Sequence, residues 1–193
     1  MPVDELPVLF FADAAAFEQW LHGEHATTPG VWLQFAKKDS QIPSLTYAQA
    51  VDIALCYGWI DGQARSNPDD PRYYFQRFTP RRKQSRWSKI NRDKVARLIA
   101  AGRMQPAGQA EIERAKADGR WAAAYDSPTA ATVPDDLQAA LDASPAAAAF
   151  FATLTGNNRY AILHRIQDAK RADTRARRIA TFVAMLERGE TLH

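Results

Sequence analysis

A short segment rich in arginine and tryptophan holds the side chains best suited to bind a negative group. It runs from Pro80 to Asn91 and ends where a helical pattern begins. A helix start leaves up to about four backbone N–H groups without intrahelical partners, and the helix dipole is positive there. The guanidinium group of arginine can donate two parallel hydrogen bonds to a phosphate or a carboxylate, and the indole ring of tryptophan offers a stacking surface. We therefore predict a site for an anionic small molecule or a phosphate group, built from Arg81, Arg82, Ser85, Arg86, Trp87, Ser88, Lys89 and Asn91.

The same segment is also compatible with an ordinary helix start. In that interpretation Ser88 is a plain N-cap, Trp87 belongs to the core and the remaining charges are solvated. The segment lacks the glycines of a P-loop, so nothing in it indicates ATP.

A second candidate segment runs from Cys56 to Gly62. Its two glycines, Gly58 and Gly62, permit positive φ or a close backbone approach. Trp59 and Asp61 lie between them and are assigned to the same ligand site. Asp61 has two possible roles, as the partner of an arginine or as a general base. Cys56 is expected to face the core, since a nucleophilic thiol needs a neighbour that lowers its pKa.

Charge is strongly segregated along the chain. Residues 72–103 carry 11 basic and 1 acidic side chains, whereas residues 1–71 carry 3 basic and 10 acidic ones. Such a basic segment attracts anions, unless the acidic part folds against it and cancels the field. A second basic cluster, residues 170–178, is expected to form a solvated face.

Several classes of protein are disfavoured. The single cysteine excludes an internal disulfide framework, and the four histidines lack metal-site spacing. No nucleophile elbow or dinucleotide fingerprint is present, so we assign no catalytic residue, metal or cofactor. An enzyme of unassigned class, using Asp61 with Arg81 or Arg82, remains an alternative. The chain has no apolar run long enough for a membrane span and no signal-peptide pattern at its start, so we expect a cytoplasmic protein.

The fold predicted from hydrophobic patterning is α+β. A small sheet of about four strands with two helices is followed by a helical C-terminal half. The predicted strands are residues 8–11, 31–36, 60–65 and 73–78, and the two helices begin after Asp13 and Thr46. Residues 126–134 are the best linker candidate, which predicts domains at 1–125 and 126–193.

Several longer motifs point to a family. They are residues 56–62 (CYGWIDG), 78–82 (FTPRR), 85–91 (SRWSKIN), 102–108 (GRMQPAG) and 118–121 (DGRW), with the C-terminal stretches 133–137, 169–171 and 174–179. Together they resemble the bacterial YdeI/OmpD-associated family. The resemblance implies a stress-response role in protection against bacteriocins and cationic antimicrobial peptides. It provides no catalytic residues to transfer.

Two functions from different classes remain open at this point. The first is a bacterial protection-type protein that binds an anionic ligand at the basic helix start. The second is a nucleic-acid-binding module, in which the basic segment and the aromatic residues Tyr73, Tyr74, Phe75, Phe78 and Trp87 form a platform on the sheet. The sequence leaves the oligomeric state open.

Overall fold

The computed structural model describes residues 6–127 and 131–192. The chain divides into two compact units, residues 1–124 and 125–193. Among the described residues, the first contains a four-stranded sheet, four α-helices and a short 3-10 helix (Lys38–Ser40), and the second contains four α-helices. The predicted α+β class with a helical C-terminal half is confirmed. Residues 128–130 of the predicted linker lie outside the described residues.

The first unit is built around a mixed sheet. Its elements are β1 (Val8–Phe10), α1 (Ala14–Glu24), β2 (Val31–Ala36), α2 (Tyr47–Cys56), β3 (Trp59–Ser66), β4 (Tyr73–Pro80), α3 (Lys89–Ala100) and α4 (Pro106–Ala117). The strand order is β1-β2-β4-β3. β1 is parallel to β2, and the other neighbours are antiparallel. β3 and β4 extend beyond the predicted bounds because their ladder continues to the Trp59–Pro80 pair.

Helices α1 and α2 begin at the predicted N-caps. The Asp13 carboxylate accepts a hydrogen bond from the Ala16 N–H at 2.8 Å. Thr46 and Gln49 form a reciprocal capping box at the start of α2. Both helices pack on one face of the sheet, where Phe17 and Val51 join Leu33 in the core. We call this the inner sheet face.

Helix α4 packs against the C-terminal end of α2 through a glycine. A Cβ atom placed on Gly108 would lie 2.1 Å from the carbonyl oxygen of Cys56. Gly58, which ends the turn after α2, has a φ of 75°, and residues other than glycine rarely adopt this backbone angle. The backbone therefore requires glycine at both positions.

The second unit has its own core. Its helices are α5 (Asp135–Asp142), α6 (Pro145–Thr153), α7 (Gly156–Gln167) and α8 (Ala172–Glu187). Leu137, Ile166 and Leu186 are each at most 1% exposed within that core. The Arg175 guanidinium joins α8 to α5 by hydrogen bonds of 2.5 and 2.8 Å to the Asp136 carboxylate. This pairing holds the pKa of Asp136 below its usual value.

Candidate functional site

Two residues of the predicted anion site, Arg81 and Trp87, form an internal stack. Arg81 is 5% exposed and Trp87 is 2% exposed. The guanidinium carbon of Arg81 lies 3.6 Å from the centre of the Trp87 ring, and its Nη1 donates a hydrogen bond to the carbonyl of Arg86. The attraction between a cation and an aromatic ring is strongest away from water, so it offsets part of the cost of burying the Arg81 charge. Both side chains thus support the loop that precedes α3.

The stack continues into residues that follow α4. Trp87 meets Trp121 edge-on, with ring centres 4.9 Å apart, and Arg92 lies 5.3 Å from the Trp121 ring centre. The Arg120 Nη1 donates to the carbonyl of Ser85 at 2.7 Å. We call Arg81, Trp87, Trp121 and Arg92 the arginine–tryptophan stack. It joins the loop before α3 to the segment after α4.

The two serines of the predicted site cap local turns. The Ser88 hydroxyl accepts a hydrogen bond from the Asn91 N–H at 3.1 Å, so Ser88 is the N-cap of α3 as expected. The Ser85 hydroxyl accepts from the Arg82 N–H at 2.9 Å. Asn91 is half-buried in the first turn of the helix. The exposed residues of the predicted site are Arg82, Arg86 and Lys89.

The segment around Gly58 does lie beside the loop before α3. The Arg81 N–H donates to the Gly58 carbonyl at 2.9 Å, and Trp59 pairs with Pro80 in the sheet. Trp59 is 1% exposed, and its indole N–H donates to the carbonyl of His25. Asp61 lies on the inner sheet face, where its carboxylate accepts a hydrogen bond from the Tyr47 hydroxyl at 2.7 Å. Ligand binding by these residues stays a prediction.

Cys56 is fully buried, as expected from the sequence. Burial raises the pKa of its thiol to about 11. Because the thiolate is the nucleophilic form, this thiol is held in its unreactive state near neutral pH.

A second candidate binding surface lies on the side of the sheet that faces away from α1 and α2. Paired residues on neighbouring strands project to the same side, so the register defines this surface. Val8 pairs with Trp32, Trp32 with Arg77, Phe10 and Phe75 with Gln34, Tyr73 with Ala36, and Arg65 with Phe75. We call these side chains the outer sheet face. Phe10 is 44% exposed and Val8 is 46% exposed, so both apolar side chains are in contact with solvent, whereas Trp32 is only 3% exposed.

Arginine and aromatic side chains alternate on the outer sheet face. The Arg65 guanidinium carbon lies 4.2 Å from the centre of the Trp32 ring and 5.2 Å from that of Phe75. Phe10 and Tyr73 form an edge-to-face pair with centres 6.1 Å apart. The only carboxylate on the four strands, Asp61, is on the inner face. The strands therefore supply this surface with positive charge alone.

Arg77 has unused hydrogen-bonding capacity. Its Nε is buried and has no acceptor among the described residues. A Cβ atom on Gly62 would lie 3.0 Å from that Nε, so the glycine leaves room for the guanidinium group beside the strand. Arg77 also lies 6.0 Å from the Trp32 ring centre.

The sequence identified only part of this surface. Tyr73 and Phe75 lie on it, whereas Tyr74 and Phe78 belong to the inner face and Trp87 to the core. The predicted five-residue aromatic platform is therefore wrong for three of its members. Strand alternation separates Tyr73 and Phe75 from Tyr74 and Phe78. Phe10, Trp32 and Arg65 were missed because their places on the surface depend on which strands are neighbours.

Metal sites and membrane-spanning helices are both absent from residues 6–127 and 131–192. Among them, no group of three or more His, Cys, Asp or Glu side chains has an arrangement that could hold a metal ion. No helix within those ranges is both long and apolar enough to cross a bilayer.

The fold and these surfaces define a chain in which an α+β unit with an open sheet face precedes a four-helix unit. Residues 9–111 match the family model described as Domain of unknown function (DUF8412). This match covers 103 of the 193 residues, so the chain belongs to that family. No curated protein and no solved structure matches the chain.

A second family model matches the other part of the chain. Residues 130–189 match the model described as Bacteriocin-protection, YdeI or OmpD-Associated. The resemblance to the YdeI/OmpD-associated family is thereby confirmed over these residues, and it supports a bacterial protein of the protection type. The motifs between residues 56 and 91 fall within the DUF8412 match instead.

Proposed function

We propose that the first unit binds single-stranded nucleic acid on the outer sheet face. The observation that carries the proposal is the alternation of partly exposed aromatic rings with Arg65 and Arg77 on a strand surface without carboxylates. Unpaired bases stack on aromatic rings and on guanidinium planes, and each stacked base contributes about 1–3 kcal/mol. The arginines neutralise phosphates and bind their oxygen atoms.

A single strand fits this surface better than a duplex. Phe10 and Tyr73 stand beside each other near one edge, while Arg65 covers the Trp32 ring towards the centre. Exposed ring faces on a strand surface offer stacking partners only to bases that are unpaired and unstacked from their neighbours. Duplex DNA would present its phosphates but no base faces.

The test measures binding of a fluorescently labelled oligothymidylate by anisotropy. We expect the Phe10→Ala variant to bind about 5- to 100-fold more weakly, since it loses stacking of about one base. The control is Ile99→Ala, which removes a similarly exposed apolar side chain, 47% exposed, from α3. Affinity should fall with rising salt, with a slope set by the number of phosphates contacted. Equal affinities for Phe10→Ala and Ile99→Ala would contradict the proposal.

The anion site before α3 is the second candidate. It is favoured by Arg82, Arg86 and Lys89, three cationic side chains that remain exposed at the N-terminal end of α3. We infer that an anionic small molecule or phosphate group binds there without using Trp87. Titration with inorganic phosphate distinguishes the two candidates. Arg82→Ala should weaken phosphate binding while Phe10→Ala leaves it unchanged, and the reverse pattern is expected for the oligonucleotide.

A further inference from the structure

A cavity of about 600 Å³ lies at the C-terminal end of β2, and of the two surfaces considered above it shares only Ala36 with the outer sheet face. Its walls come from the end of β2, the loop that follows, the first turn of α2 and Tyr74 of β4. Small-molecule sites typically have volumes of about 300–1,000 Å³. The cavity is therefore large enough for a one-ring ligand.

Aromatic side chains form one wall of this cavity. The rings of Phe35 and Tyr74 are stacked with centres 5.4 Å apart, and Tyr47 meets Phe35 edge-on at 6.4 Å. The Tyr47 hydroxyl donates a hydrogen bond to the Asp61 carboxylate at 2.7 Å, which fixes the ring in place. Phe35 is only 1% exposed, so a planar ligand would contact the rings of Tyr47 and Tyr74, which Phe35 supports from inside.

Polar groups lie around the same space. The Tyr74 hydroxyl makes no hydrogen bond to any described residue, and burial raises its pKa, so it remains a proton donor at neutral pH. The Ser44 hydroxyl accepts a hydrogen bond from the Ala36 nitrogen and donates one to the Leu45 carbonyl, each at 3.4 Å. Lys37, Lys38 and Asp39 supply the formal charges of the lining, which sum to one positive charge.

The loop that carries the lysines is held at several points. The Lys37 N–H donates to the carbonyl of Arg72 at 2.8 Å, and the Leu45 N–H donates to that of Phe11 at 3.0 Å. Within the loop, the Ser40 hydroxyl donates to the Lys37 carbonyl at 2.6 Å. The cavity wall is thus positioned by backbone contacts with the rest of the unit.

We propose that this cavity binds a small aromatic carboxylate. Its ring lies against Tyr47 and Tyr74, and its carboxylate is near Lys37 and Lys38 with the Tyr74 hydroxyl as a hydrogen-bond donor. The proposal does not depend on the nucleic-acid function, because it uses the inner sheet face and a different loop.

The test titrates the full-length protein with three probes and measures the backbone amide chemical shifts by NMR. Benzoate combines a ring with a negative charge, benzylamine combines the ring with a positive charge, and acetate has the charge without the ring. We expect benzoate to give saturable shifts at Lys37, Ser44, Tyr47 and Tyr74, with the other two probes at least about 10-fold weaker. Equal binding of acetate and benzoate would overturn the proposal, as would the absence of saturable shifts at the cavity.

Charge variants distinguish a local site from a general attraction. The double variant Lys37→Gln with Lys38→Gln should raise the benzoate Kd about 5- to 10-fold. The matched control, Lys83→Gln with Arg97→Gln, removes two exposed positive charges from the segment before α3 and from α3 itself. It should leave the Kd unchanged. If both double variants weaken benzoate equally, binding reflects net charge and the cavity site is refuted.

Discussion

Arg82 and Trp87 are five positions apart in the sequence, but one is at the surface and the other is in the core. Trp87 is almost completely buried between Arg81 and Trp121, whereas Arg82 is exposed. Both belong to the same basic segment, and residue type alone assigned both to a ligand site. What separates them is the contact of Trp87 with Trp121, a residue that follows α4 and lies far along the chain.

The two roles predict different effects on stability. Trp87→Ala should lower the free energy of unfolding by about 3–5 kcal/mol, because it leaves a cavity and removes the ring on which Arg81 stacks. Arg82→Ala should change it by less than about 0.5 kcal/mol. Urea unfolding of both variants measures the difference. A Trp87→Ala protein as stable as the wild type would show that the arginine–tryptophan stack does not support the fold.

Residues that act locally were predictable from the sequence. Asp13, Thr46 and Ser88 cap their helices because their side chains accept bonds from N–H groups three residues ahead. Arg81 was not predictable in the same way. Its burial depends on the ring beneath it and on the backbone contact with Gly58, neither of which a charge pattern reveals.

At the scale of elements, the contact between α2 and α4 requires a close backbone approach. Gly108 lies on α4 where a side chain would overlap the last carbonyl of α2. Gly23, in the last turn of α1, has open space around its Cβ position. Helix packing therefore requires glycine at position 108 and does not require it at position 23.

Replacing each glycine by alanine should shift stability in opposite directions. Gly108→Ala should destabilise the first unit by about 1–3 kcal/mol or more, because backbone atoms must move apart. Gly23→Ala should stabilise it by about 0.5–1 kcal/mol, since alanine is the better helix former. Thermal melting of the two variants measures both effects. A stabilising Gly108→Ala substitution would mean that α4 does not pack on α2 as described.

Element patterns predicted the strands better than their arrangement. In β4, Tyr73 and Phe75 alternate with Tyr74 and Phe78, and the register places the two pairs on opposite faces. The sheet order β1-β2-β4-β3 combines a parallel pair with antiparallel ones and has no local sequence signal. The outer sheet face depends on this order, because it brings Phe10 beside Tyr73 and Arg65 beside Trp32 and Phe75.

At the scale of the whole molecule, each unit has its own hydrophobic core. The first is organised around Phe17, Leu33 and Phe78, and the second around Leu137 and Ile166. Two separate cores are typical of domains that fold alone. The domain boundary near residue 125 stays a prediction that fragments can test.

We expect residues 1–124 and residues 125–193, expressed separately, each to unfold cooperatively. Circular dichroism melts of the two fragments and of the full chain measure this. The shorter fragment should be the less stable, because a small domain buries a smaller share of its surface. A fragment that shows no cooperative transition would indicate that its core needs the other unit.

The two indole rings that meet before α3 also have an optical consequence. Chromophores this close and inclined by 60° couple their electronic transitions, so the pair should give a two-signed circular dichroism band that isolated tryptophans lack. Trp20 and Trp59 form a second pair, with ring centres 6.0 Å apart, and add a signal of their own. The contribution of Trp87 and Trp121 would be lost when the loop detaches, even while the helices remain folded. The protein thus has an internal spectroscopic probe for local opening, and no label has to be attached to read it.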